Sequence, residues 1–218
     1  PRELRGEAHL RTGRLLAAHT PPDKREEAIF EIVNQLNRGS ALMTTRDECE
    51  QLAEFNLIAS KRAKASAAYV SALNYAIAGT ALLEDDRWEK RHDLALSLEL
   101  HRAECEFLTG ALAAAEDRLT ALSLRAATTL EHATVACLSL DLYTTLDQSR
   151  RAVAVGLESL RHLGIDWSPH PTEEEARREY ARIRSWVANH SIENLIHGPL
   201  MTDPESLATV DVLTKIAM

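Results

Sequence analysis

Glycine, proline and aromatic side chains are all scarce in this chain, with eight Gly, seven Pro, three Phe, four Tyr and three Trp among 218 residues. That scarcity excludes the turn-rich, aromatic-rich composition of an all-β protein. An excess of positive charge is missing too: 25 Lys and Arg stand against 33 Asp and Glu, a formal net charge of −8. Such an acidic background gives no broad attractive field for phosphates, so nucleic acid is not an expected partner. No apolar run approaches the roughly 18 to 20 residues that cross a bilayer, and the first residues are charged, so no membrane insertion is expected. Cysteine is limited to Cys49, Cys105 and Cys137, far apart and outside any CxxC pairing. They read as reduced core thiols of a cytoplasmic protein.

Catalytic signatures are absent as well. Neither a G-x-x-x-x-G-K-[ST] nor a G-x-G-x-x-G loop occurs, and there is no H-R-D and D-F-G set or G-x-S-x-G elbow. The expectation is of a non-enzymatic chain with no cofactor, no metal and no catalytic residue. What remains is abundant Ala, Leu, Glu and Arg, good helix formers, and this points to an all-α fold.

Apolar periodicity marks out the helices. The first covers about Leu4 to Ala18 and is broken by Thr20-Pro21-Pro22-Asp23; the second carries Ile29, Ile32, Val33 and Leu36 and ends near Gly39. Thr45 and Glu48 have the spacing of a capping box. A helix with Leu52, Phe55, Ala59 and Ala63 follows, then one through Tyr69, Leu73, Ala76 and Thr80. Trp88 to Thr109 reads as one helix buried on two sides, and Gly110 separates it from a helix with Leu112, Ala115, Leu119 and Leu122 inward and Glu116, Asp117 and Arg118 toward water. The pattern repeats across Glu131 to Leu146, an Asp147-Gln148 break, and Ser149 to Leu163, with small Ala152 and Gly156 leaving room for a neighbour and Gly164 as the stop. Thr172 and Glu175 make a second capping box, ahead of Ala176, Tyr180, Ile183 and Val187 at helical spacing; Asp203-Pro204 opens the last helix.

Ala115 and Ala152 stand thirty-seven residues apart, with Ala72 as an earlier equivalent, which is the spacing of helix-hairpin repeats. The expected architecture is an α-α superhelix of stacked antiparallel hairpins. A single helical-repeat domain would span 1–218, with N-terminal helices over 1–44, central hairpins over 45–164 and C-terminal helices over 172–218. Tyr143, Ala152, Gly156 and Gly164 resemble the aromatic, small, small and terminal-breaker positions of a tetratricopeptide repeat, in a degenerate form. Three strings, Ile29-Phe30-Glu31-Ile32-Val33-Asn34-Gln35-Leu36-Asn37, Ala103-Glu104-Cys105-Glu106-Phe107-Leu108-Thr109-Gly110 and Leu160-Arg161-His162-Leu163-Gly164-Ile165, resemble the helical-repeat region of large bacterial signalling proteins. In that family the region lies between a STAND or AAA-type ATPase and GAF and sensor histidine kinase modules, often with a serine/threonine kinase-like domain at the N-terminus. The resemblance implies a connector whose partners are neighbouring domains or another signalling protein. Beginning at Pro1 and stopping at Met218 within a periodic segment, the chain is expected to be a piece of a longer protein.

Each constellation that could carry chemistry has a plainer explanation. His92-Asp93 is similar to a phosphoacceptor pair, but Leu-Ala-Leu-Ser follows where Arg-x-Pro-Leu would stand. His101 and Cys105, at i and i+4, could offer two metal ligands; Leu94, Leu98 and Leu108 share their face and make it a core stripe. His170, flanked by prolines, reads as a loop residue, and the carboxylates Asp85, Asp86, Glu104, Glu106 and Glu173 to Glu175 as capping or surface charge. Candidate interface residues are Trp88, Trp167 and Trp186 with the arginines Arg177, Arg178 and Arg182, because tryptophan and arginine are enriched at binding hot spots. Arg184 belongs to the same basic run, and each tryptophan could instead plug a hairpin junction. The readings that follow are a protein-interaction connector, a homodimerisation element, or a small-ligand sensor.

Overall fold

The computed structural model describes residues 2–189 and 200–217 and contains helices and no strand among them. The part of the 172–218 range at 190–199, and Met218, lie outside the described residues. Two compact units divide between Leu124 and Arg125, so the hairpins expected over 45–164 are shared between them.

The first unit holds α1 (Arg2–His19), α2 (Arg25–Gly39), α3 (Arg46–Ala65), α4 (Tyr69–Ala81), the short α5 (Arg87–Lys90), α6 (His92–Leu108) and α7 (Leu112–Ser123). Helices packed as pairs are α1 with α2, α3 with α4, and α6 with α7, and pair touches pair through α2 on α3 and α4 on α6. Ile29, Ile32, Val33, Leu36, Leu52 and Phe55 form the core of the first junction. Leu83, Leu94, Ala95 and Leu98, with Ala53, fill the second. Gly39, expected as a helix stop, instead ends α2 in a close approach: a Cβ there would lie 2.9 Å from the backbone nitrogen of Leu10. Its role is to let α1 sit against α2. The helix expected from Trp88 to Thr109 is also broken, at Arg91 (φ −137°, ψ 45°), into α5 and α6.

The second unit contains α8 (Thr129–Thr145), α9 (Ser149–His162), α10 (Glu173–Asn189) and α11 (Pro204–Ile216). Here α8 and α9 pair, and α11 packs across both around Leu140, Leu160 and Val212. The close approach expected at Gly156 is used by α11, since a Cβ there would come within 2.4 Å of Ile216.

One turn recurs in α3–α4, α6–α7 and α8–α9. Ala67 (φ 56°), Gly110 (φ 82°) and Asp147 (φ 56°) are left-handed. The next amide bonds back to the first helix: Ala68 to Ala63 at 2.9 Å, Ala111 to Glu106 at 2.8 Å, Gln148 to Tyr143 at 2.8 Å. These are Schellman closures. Counted from the left-handed residue, the same steps are buried in all three hairpins: Ala72, Ala115 and Ala152, then Ala76, Leu119 and Gly156, then Gly79, Leu122 and Ser159. The alignment of Ala72, Ala115 and Ala152 is therefore one of structure as well as spacing. Capping was less uniform. Thr172 and Glu175 exchange their bonds (2.7 and 3.2 Å), as expected, and Asp203 caps α11 through Ser206 at 2.8 Å. Thr45 makes no side-chain cap, and the Glu48 carboxylate that would complete the box is taken by Arg14 at 2.6 and 2.8 Å.

Candidate functional site

Several of the constellations with catalytic potential are held in internal contacts. Asp86 binds Arg46 at 2.8 Å and Lys90 at 2.6 Å, and the guanidinium beside it holds its carboxyl down at about 2. Glu104 pairs with Lys64 at 2.5 Å. Burial pushes the Cys105 thiol up to about 11, so it is neither a nucleophile nor a ready metal ligand near neutral pH. His101 beside it is half-buried, with an inaccessible Nε2 that lacks a hydrogen-bond partner, and desolvation together with Lys64 lowers its pKa to about 4. Among the described residues no group of three or more His, Cys, Asp or Glu is placed to hold a metal ion. His92 meets Trp88 edge-on, with ring centroids 5.8 Å apart. His170 is exposed in the loop before α10.

Arg118 departs from the expectation. Rather than facing water from α7, it reaches back to α6, where Nε and Nη2 donate to both oxygens of Glu106 (2.8 and 2.9 Å) and Nη1 donates to Glu99. Arg102 adds a bond to Glu106 at 3.0 Å. Glu99 and Glu106 are only 7% and 5% exposed, so their charges require this pairing. Part of the signal was present in the sequence: Glu99 and Glu106 stand a heptad apart, on one face of the helix, and if that face is buried they must recruit a cation. What the sequence does not give is which cation, since Arg118 lies on the next helix.

A pocket of about 200 Å³ lies between α1, α2 and α3, walled by Leu36, Met43 and Phe55 with Arg14, Arg25 and Glu48. Arg14 is committed to Glu48, and the Arg25 guanidinium sits 6.0 Å from the centre of the Phe55 ring. Titratable groups do not converge on it as they would around a reacting centre.

The candidate interface residues fall in two places. Trp88 is half-buried against the Leu83, Leu94 and Leu98 cluster of the first unit, at a hairpin junction. The others belong to the second unit: Arg177, Arg178, Arg182 and Trp186 are all on α10, and Trp167 is 52% exposed ahead of it. From Glu173 through Ala188 every residue of α10 is exposed, including its apolar stripe, with Tyr180 at 63% and Ile183 at 61%. Such side chains each forgo about 1.5–3 kcal/mol of burial. The arginines of α10 do not form a naked basic patch. Arg177 pairs with Glu173 at 2.6 Å and Arg182 with Glu179 at 3.0 Å, on the open side of the helix.

No helix among the described residues is long and apolar enough to cross a membrane. No family model matches the sequence, and no solved structure matches it. Among curated proteins, the chain is similar to hybrid signal transduction histidine kinase G of Dictyostelium discoideum, 25% identical over 179 residues. That likeness takes in 78% of this chain and 5% of the kinase, so the chain corresponds to a small part of a much longer signalling protein.

Proposed function

We propose that this chain is a non-catalytic interaction and connector region of a signal-transduction protein, built from degenerate tetratricopeptide-like hairpins. The single observation that carries the reading is the shared register of three hairpins, each with the same left-handed closure and the same buried steps. A hairpin of this kind leaves an apolar flank that only the next hairpin covers, so repetition generates extended surface rather than a crevice. The pairing of Glu106 with Arg118 inside the first unit is in keeping with this reading. The likeness to a hybrid histidine kinase supports a signalling context. In the bacterial architecture it resembles, the region would join an ATPase module to a downstream kinase in the cytoplasm, and its partners would be those neighbours.

Purified chain mixed with the protein segments that flank it in the parent gene tests this directly. Calorimetry is expected to return association in the micromolar range, and absence of binding at about 100 μM to every flanking segment would overturn the connector reading. Self-association is the second reading, favoured by the uncovered stripe of α10.

A further inference from the structure

Within that interaction reading, on which it rests, we propose that α10 pairs in parallel with the α10 of a second copy of this chain. Ala176, Tyr180, Ile183 and Val187 follow one another at intervals of four, three and four, the alternation of a coiled-coil seam. All four are exposed, Tyr180 and Ile183 by more than three-fifths. Projected at 100° per residue, Arg177 and Arg184 flank the seam on one side and Glu179 flanks it on the other.

Charge decides both the occupant and the direction. In a parallel pair each flank meets the opposite flank of the other helix, which sets Glu179 against Arg184 of the partner subunit, five positions on. An antiparallel pair would bring like flanks together and place Arg177 beside Arg184 of the partner subunit. The present bonds of these residues do not compete strongly. Glu179 with Arg182, and Arg177 with Glu173, are exposed pairs within the helix at 61–81% side-chain exposure, which exchange readily. The helix has 17 residues, little more than two heptads, so the pairing is weak and concentration-dependent.

Sedimentation equilibrium of the full chain, from about 10 μM to about 1 mM, is expected to show a reversible monomer–dimer equilibrium. Tyr180→Glu with Ile183→Glu should abolish it while leaving the melting temperature unchanged, since α10 rests on no other described helix. Glu179→Arg should weaken the dimer by about threefold to tenfold, and adding Arg184→Glu should restore it. An Ala176→Cys variant, compared with the parent chain's own cysteines, should form a disulfide dimer on oxidation. Failure of that cross-link, with cross-linking instead between Ala176→Cys and Val187→Cys chains, would overturn the parallel arrangement. A chain that remains monomeric throughout overturns self-pairing altogether. If such a monomer still binds its flanking segments, the connector reading stands and the stripe belongs to another protein. If it binds nothing, both readings fall.

Discussion

α6 and α10 have the same length, 17 residues, and opposite relations to water. α6 takes two glutamates into the interior and holds them there with arginine, while α10 keeps Tyr180 and Ile183 exposed, with the Arg184 guanidinium of the same helix 6.0 Å from the centre of the Tyr180 ring. Both arrangements are costly for an isolated helix. In α6 the cost is offset within the fold, because burial on two sides fixes Arg118 and Arg102 close enough to neutralise the carboxylates. In α10 it is not offset within the described chain. That difference is the reason α10, and not α6, is proposed as the surface that meets a partner.

Removing the cation from α6 should produce the largest effect on this contrast. Arg118→Met leaves Glu99 and Glu106 without their main partner and is expected to destabilise the first unit by about 3 kcal/mol, read as a fall in the denaturant midpoint. Next comes Gly156→Val in the second unit: its side chain would occupy the place of Ile216, lifting α11 at a cost of about 1–3 kcal/mol by the same measure.

Acid should act on the first unit in a related way. His101 titrates at about 4 when folded and near 6.5 in a free chain, so between those values the unfolded state binds the additional proton. The contribution of neutral His101 is complete above about pH 6.5 and is lost as pH falls toward 4, up to about 3 kcal/mol across that window. His101→Leu should flatten that slope in a series of melts at stepped pH. Unchanged slopes would show that desolvation, aided by Lys64 and Lys61 and opposed by Glu104, does not hold the His101 pKa down. Smallest of all should be Tyr180→Glu on α10, at or below about 0.5 kcal/mol in dilute solution.

Much of this contrast was written in local sequence. Helix content, the hairpin turn at Gly110, the helix stop at Gly164, and the alignment of Ala115 with Ala152 all follow from short-range patterns. So does the Thr172–Glu175 box, because both partners sit within one helical turn. The same motif at Thr45–Glu48 failed, since Arg14, far upstream, bonds Glu48 more strongly than a backbone amide does. Thr128 caps α8 by accepting from the Glu131 amide at 3.2 Å, while the Glu131 carboxylate reaches one residue further back, to the amide of Ala127 at 2.6 Å; this pair drew no notice in the sequence. The break at Arg91 is hidden because Trp88 to Leu108 has continuous helix-forming composition. Periodicity places Tyr180, Ile183 and Val187 on one side of α10 but is silent about what covers them. Long-range recruitment thus explains two of the departures, Glu48 by Arg14 and Glu106 by Arg118.

Hydrogen exchange followed by mass spectrometry, run on the full chain at low and at high concentration, tests the contrast between the two helices most directly. Amides of α6 should exchange slowly and equally at both concentrations, whereas α10 should exchange fast when dilute and slow down as the chain is concentrated. Equal, strong protection of α10 in dilute solution would contradict the account, because its apolar stripe would then already be covered within a single molecule.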